Sequence, residues 1–326
     1  MSNSSRTARH LYPSTSDKPQ YVYTFACHET ERELCHLELA QLLGTPLKSG
    51  EDWLQTSRRV DPDRSPFVSV RLEVGLSGDS VEAIAAQAGQ IQLSGATFKV
   101  VCLKAGDPFT YEERRDVERQ VGRHIKGTAQ MKSPEVTLGL IRTEGIWSLG
   151  ELHEPERAWL THKQKPYNYS TGLSSRVARA LVNMAVPEPD NTVLLDPCCG
   201  MGNVLIEALS MGIQVQGSDI NPLAIRGARV NLRHYGYDDQ LVSIQDMNEL
   251  SGSYEASILD LPYNVCSVLQ EEDRLQMLRS LRRLARRAVI VSTEPLGEQL
   301  RLAGWNVLGR AITTKGSFVR EVWLCE

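Results

Sequence analysis

Residues 192–208 read TVLLDPCCGMGNVLIEA: an apolar run that stops at Asp196, a turn of two cysteines and two glycines, then an apolar stretch of helical period. Strand, glycine turn and helix in that order form the opening unit of a doubly wound α/β domain, whose ligands sit at the carboxyl ends of the strands. Three more aspartates follow at similar stations. Asp219 ends IQVQGSD, Asp246 ends LVSIQD and Asp260 ends ASILD.

Gly200 and Gly202 allow the main chain to pass close to a ligand. A dinucleotide fingerprint would place a third glycine at 205, where Leu205 stands, and an acid at the first strand end is at odds with a pyrophosphate. A ligand carrying a sulfonium and an ammonium suits that acid. The pattern therefore points to S-adenosylmethionine. Its candidate binding set is Asp196, Pro197, Gly200, Gly202, Asp219, Ile220, Asp246 and Met247, with Asp219 accepting from the ribose hydroxyls and Asp246 from the adenine amino group.

Asp260-Leu261-Pro262-Tyr263 follows the fourth apolar strand and is the candidate catalytic motif. An NH2 acceptor has two protons and a nitrogen lone pair delocalised into its ring or carbonyl. Methylating it requires acceptors that hold the protons and aim the nitrogen. The Asp260 carboxylate and the Leu261 carbonyl supply these, Pro262 keeps Leu261 extended, and Tyr263 offers a ring on which a base can stack. On this reading the acceptor is an exocyclic or amide amine: a guanine N2, an adenine N6 or a protein amide.

Outward from this stretch, strands and helices alternate to the end of the chain. WNVLGRAITT and SFVREVWLCE then flank Lys315-Gly316 without an intervening helix, which predicts a C-terminal antiparallel hairpin. Upstream, residues 153–172 mix Pro, Gly and polar types with little period and read as a linker. Before them, strand and helix patterns alternate as small α+β units: YVYTFAC, HETERELCHLELAQLLG, FVSVRLEV, SVEAIAAQA, TFKVVCLKA, YEERRDVERQVGRHIKG and VTLGLIRTEGIWSLGEL. The polar residues 1–20 read as a mobile tail and lack a secretory core.

The 326 residues suffice for two or three domains, and the net charge of −4 speaks against a surface that grips nucleic acid everywhere. A local patch is present instead: Arg119, Arg123, Lys126 and Lys132 lie in a run without acids. The six arginines of 271–287 read as the solvated side of an amphipathic helix. No apolar run is long enough for a membrane span. Seven cysteines at irregular spacing suit reduced thiols in a cytoplasmic protein, and adjacent Cys198-Cys199 make a poor metal bite, so no metal is expected.

These segments together resemble the THUMP-domain RNA methyltransferases, nearest to those that methylate guanine N2 in tRNA. VGRHIKGTAQMKSPEVTLGLIRTEGIWSLGEL is similar to the end of a THUMP domain and KPYNYSTGLSSRVARALVNMA to the family's lead-in helix. DPCCGMGNVLIEA, GSDINPLAIRGARVNL and DLPYN are similar to its cofactor and catalytic motifs.

The resemblance implies a class I methyltransferase domain over 173–326, preceded by a ferredoxin-like unit over 21–75 and a THUMP-like RNA-binding unit over 76–152 that holds the acceptor end of tRNA. It also implies that Asp260, the Leu261 carbonyl and Tyr263 engage the target base. The chain departs from the family where Met201, Asn203, Leu261 and Asn264 stand. Those changes leave room for another amine acceptor, or for an RNA-binding protein whose pocket has decayed.

Overall fold

The computed structural model describes residues 11, 19–169, 172–262, 269–315 and 318–326. The first half runs β1 (Gln20–Phe25), α1 (Arg32–Leu43), β2 (Trp53–Thr56), β3 (Val68–Gly78), α2 (Val81–Ala88), β4 (Phe98–Cys102), α3 (Tyr111–Gly122), β5 (Val136–Thr143) and β6 (Ile146–His153). The second half runs α4 (Ser175–Ala185), β7 (Val193–Asp196), α5 (Asn203–Ser210), β8 (Gln214–Asp219), α6 (Pro222–His234), β9 (Val242–Ile244) and β10 (Tyr254–Asp260). It closes with α7 (Glu271–Leu284), β11 (Ala285–Ser292), α8 (Gly297–Leu302), β12 (Val307–Lys315) and β13 (Phe318–Cys325).

The chain divides into two compact units. The first comprises Met1–Ala26, Leu47–Pro62 and Val68–Pro155. Its described strands form one sheet in the order β2-β1-β3-β6-β5-β4. Leu76, Leu138, Leu140 and Leu149 from the sheet bury against Ile84 of α2 and Val121 of α3. Helix α3 starts where Thr110 and Glu113 exchange side-chain and backbone bonds in a capping box.

Three expectations change here. The boundary drawn between 75 and 76 falls inside β3, which pairs with β1 up to Val74 and with β6 on both sides of the boundary across a register shift between Val74 and Leu76, so the two proposed N-terminal units share a single sheet. Strand β2 was not anticipated. Leu11, assigned to a mobile tail, is 3% exposed in the core, and its carbonyl accepts the Gln92 N–H at 3.2 Å.

The second unit comprises Cys27–Pro46, Asp63–Phe67 and Glu156–Glu326. Its described strands form a sheet in the order β12-β13-β11-β10-β7-β8-β9. β9, β8, β7, β10 and β11 run parallel, while β13 is antiparallel to both β11 and β12. This is the anticipated doubly wound sheet with its C-terminal hairpin; Gly316 lies outside the described residues. Strand order reverses between β7 and β10, which opens a crevice at their carboxyl ends.

Helix α1 belongs to this second unit and not to the N-terminal region assigned from sequence. Its Glu33 carboxylate accepts the Ile312 N–H at 2.8 Å on the edge strand β12, which covers an edge otherwise open to pairing. Glu38 is fully buried, accepting from Ser65 Oγ at 2.9 Å and from Asn183 Nδ2 of α4 at 2.6 Å. A buried carboxyl is tolerable only with such donors, and they fix where α1 docks.

The stretch 153–172 is not a free linker either. Ala158–Gln164 forms a 3-10 helix, and Trp159, His162 and Lys165 are buried. His162 Nδ1 lies 2.7 Å from Glu207 Oε1 of α5, and Arg179 of α4 donates to Glu207 Oε2 at 2.9 Å. This buried trio bolts the segment to the helix that carries the glycine turn.

Candidate functional site

The sequence places four carboxylates at strand ends, and the parallel sheet delivers them to one crevice. Asp196 closes β7 and Asp260 closes the neighbouring β10, while Asp219 closes β8. Asp246 lies two residues past the end of β9. Their convergence registers at the Cys198 thiol, which burial pushes well above its usual pKa, with Asp196, Asp219, Asp260 and Asp246 all adding to the rise.

Asp196 is the most buried of the four. Desolvation first, then the negative fields of Asp260 and Asp219, hold its pKa well above the ordinary carboxylate range, opposed by a hydrogen bond from the Cys198 N–H. A bound cation would relieve this cluster. A pyrophosphate would aggravate it.

The turn between β7 and α5 is shaped to admit a ligand. Gly200 and Gly202 have φ of +52° and +79°, and a Cβ built on Gly200 would meet nothing within 4 Å. The Gly200 N–H donates to Asp219 Oδ2 at 2.9 Å, and Asp219 Oδ1 accepts the Asn221 N–H at 2.8 Å. Asp219 thus fastens the glycine turn to the start of α6, and each of its oxygens keeps lone-pair capacity for a hydroxyl. Beside it Ile220 is 71% exposed, an apolar plate at the crevice.

Met247 is buried, and its thioether accepts from the Cys198 thiol at 3.9 Å. Asp246 Oδ1 accepts the Asn248 N–H at 2.8 Å, so it also serves as a turn cap. Pro197 is buried, and its carbonyl accepts from Ser218 Oγ at 3.3 Å.

Leu261 follows Asp260 and is buried, with its N–H donated to the Val291 carbonyl of β11 at 3.0 Å. That bond continues the β10–β11 ladder one residue past the strand and fixes the peptide plane on which the rim rests. Pro262 is exposed, and Tyr263 and Asn264 lie outside the described residues. Among the described residues no group of three or more His, Cys, Asp or Glu is placed to hold a metal ion.

Two asparagines complete the turn: Asn203, already marked as a departure from the family's pattern, and Asn231, which motif reading passed over. Asn231 of α6, 0% exposed, accepts the Tyr167 N–H at 2.9 Å and donates to the Tyr167 carbonyl at 2.9 Å and the Met201 carbonyl at 3.0 Å. Asn203 Nδ2 donates to the Leu173 carbonyl at 2.7 Å. The Met201 side chain lies over Gly227, where a Cβ would come within 2.2 Å of its sulfur. The one signal for Asn231 in the sequence is an asparagine inside an apolar helix, a position that residue rarely favours without a tertiary partner.

The basic run lies on the first unit. Arg119 and Arg123 line a groove of about 670 Å³ together with Phe98, Val100, Tyr111 and Met131. Lys126 and Lys132 are exposed on the segment after α3, so the four cations do not all lie on one helix. Arg119 pairs with Asp116 at 3.2 Å.

The arginines of α7 and the start of β11 are largely engaged with the protein itself. Arg274 pairs with Glu294 and Gln299, Arg283 donates to the Leu250 carbonyl at 2.7 Å, Arg287 donates to the Met184 carbonyl at 3.0 Å, and Arg282 lies over Trp305 at 5.0 Å. Arg282 and Arg283 stay exposed as the solvated face read from sequence requires, while Arg274 is buried and Arg287 half-buried.

Residues 162–293 match the family described as RMKL-like, methyltransferase domain. Over 120 residues the chain is 35% identical to the tRNA (guanine(10)-N2)-dimethyltransferase of Methanothermobacter thermautotrophicus, covering 36% of this chain and 35% of that protein. Over 199 residues it is 26% identical to the U6 snRNA (guanine-N(2))-methyltransferase THUMPD2 of Mus musculus, covering 55% of this chain and 36% of that protein. The chain thus spans about a third of the length of these two curated relatives. Among solved structures, TrmN from Thermus thermophilus aligns with a TM-score of 0.48 and 17% identity over 94% of this chain and 99% of that one.

Proposed function

We propose that the chain is an S-adenosylmethionine-dependent RNA methyltransferase of the THUMP-related class, acting on the exocyclic N2 amine of a guanosine in tRNA. The observation that carries this reading is the convergence of Asp196, Asp219, Asp246 and Asp260 on one crevice beside an open glycine turn. An acid whose pKa is raised first by burial and then by two neighbouring acids fits a cationic ligand. The guanine-N2 methylation for which the two relatives are named supports guanine N2 as the acceptor.

When bound, the donor supplies an electrophilic methyl group on sulfur. The protein's contribution is placement. Asp219, which ties the turn to α6, would accept from hydroxyls of the donor, exposed Ile220 would give an apolar surface for its base, and Asp196 would face its positive end. Asp260 and the Leu261 carbonyl accept the two N–H bonds of the target amine, which turns its nitrogen toward the donor. Asp260 is also placed to take the proton released after transfer. No covalent enzyme intermediate is needed.

On the first unit, Arg119, Arg123, Lys126 and Lys132 serve as the phosphate-binding patch of the RNA-binding reading. Their exposure supports it, as does the groove that two of them line. We place the protein in the cytoplasm, where its tRNA substrate resides.

The test is to incubate bulk tRNA from a strain lacking this protein with isotopically labelled donor and to map the modified nucleosides by mass spectrometry. Label in N2-methylguanosine or its dimethyl form is the expected result. Label in N6-methyladenosine, or in protein and not RNA, would reassign the acceptor. No label in any of them would overturn the catalytic reading.

A further inference from the structure

We infer that Asn231 is a positioning residue for the donor pocket, pinning the glycine turn in its donor-binding conformation by tying it to the lead-in segment at Tyr167. The inference rests on the donor reading of that turn. It assigns a role to a residue that never touches the reacting atoms.

The 201–202 peptide plane turns on ψ of Met201 and φ of Gly202, and Gly202, at φ +79°, rotates at little cost. A flip of that plane would turn its carbonyl and N–H through the space a ligand needs. Two bonds prevent the flip. The Gly202 N–H donates to the Cys199 carbonyl at 2.8 Å, and the Met201 carbonyl accepts from Asn231 at 3.0 Å.

Asn231 can do this because its carboxamide is itself immobile. One amide hydrogen and the amide oxygen are spent on both polar groups of the Tyr167 peptide backbone, and the other hydrogen on Met201. That uses the carboxamide's two hydrogens and its acceptor in a site with no solvent exposure. No other side chain matches the pattern. Aspartate would set an oxygen against two carbonyls, and leucine would take this partner away from three part-buried backbone groups.

The anchor at the far end is equally firm. The segment carrying Tyr167 is held upstream by His162 on Glu207, and the clamp transmits that anchorage to the turn. The Tyr167 ring is not needed for this, since both bonds use its backbone.

The experiment compares Asn231→Ala and Tyr167→Ala with Val322→Ala, a buried β13 variant chosen as a control for general destabilisation. Donor Kd is measured by calorimetry, kcat at saturating donor, and hydrogen exchange of the Tyr167 amide without donor. For Asn231→Ala the expected result is a donor Kd raised tenfold or more, kcat within threefold of wild type, and lost protection at Tyr167. Tyr167→Ala and Val322→Ala should keep donor Kd within twofold.

Asn231→Ala with donor Kd within twofold of wild type, despite a fall in Tm like that of Val322→Ala, would reduce Asn231 to a packing residue and overturn the inference. A Tyr167 amide that stays protected in Asn231→Ala would do the same. A wild-type protein that does not bind the donor would sink the donor reading as well, an outcome distinct from wild-type binding that the Asn231 variant leaves untouched.

Discussion

Replacing Asp219 by asparagine asks the most of the donor pocket with the least change in shape. Its two carboxylate oxygens accept from two backbone donors, Gly200 N–H at 2.9 Å and Asn221 N–H at 2.8 Å. A carboxamide has one oxygen and one NH2 group, so in either orientation one donor meets another donor. The lost bond was made to a charged acceptor, a class that contributes roughly 1.5–3 kcal/mol. If that loss falls on the glycine turn, donor affinity drops by about 10- to 150-fold. Calorimetric titration of wild-type and Asp219→Asn protein with the donor measures it directly. Affinity within threefold of wild type, with Tm unchanged, would refute the claim that Asp219 organises this turn.

Three further outcomes follow from other parts of the molecule. Glu207→Ala strands the buried Arg179 and His162, which costs about 3–5 kcal/mol, and should lower Tm by roughly 6–20 °C in a thermal melt. Burial pushes the Glu38 carboxyl up to about 7 from 4.5, against the hydrogen bonds from Asn183 and Ser65. Since the folded value is the higher one, its stabilising contribution is complete below about pH 4.5 and is lost as pH rises through 7, a change on the order of 3 kcal/mol. Glu38→Gln, whose oxygen can still accept from Asn183 and whose NH2 can donate to Ser65 Oγ, should flatten Tm between about pH 5 and 8. Replacing Arg123 and Lys126 together by alanine should weaken tRNA binding in a filter or fluorescence assay and reduce its salt dependence, with donor affinity unchanged.

What the sequence makes legible is what depends on neighbours along the chain. The strands that end in Asp196, Asp219 and Asp260 are short apolar runs closed by an acid, and a parallel sheet necessarily brings such ends to one side. The C-terminal hairpin was legible because two alternating stretches leave no length for a helix. What escaped depends on partners distant in sequence. The 153–172 segment has no period because its burial comes from Glu207 and Asn231, reached across 45 and 64 residues by His162 and Tyr167.

Helix α1 carries a regular leucine pattern but no mark of which unit it joins; Glu38 and Glu33 decide that through Asn183, Ser65 and Ile312. Arg274 of α7 and Arg287 of β11 looked solvated because a sequence does not show Glu294, Gln299 and the Met184 carbonyl waiting for them. Asn231 passed as one polar residue among many, and only its three bonds reveal its place.

The rim formed by Asp260 and the Leu261 carbonyl is tested by single-turnover methyl transfer to tRNA by Asp260→Ala, with donor affinity measured on the same preparation. A rate at least a hundredfold below wild type is expected, with donor affinity retained. A rate near that of wild type would remove Asp260 from the chemistry.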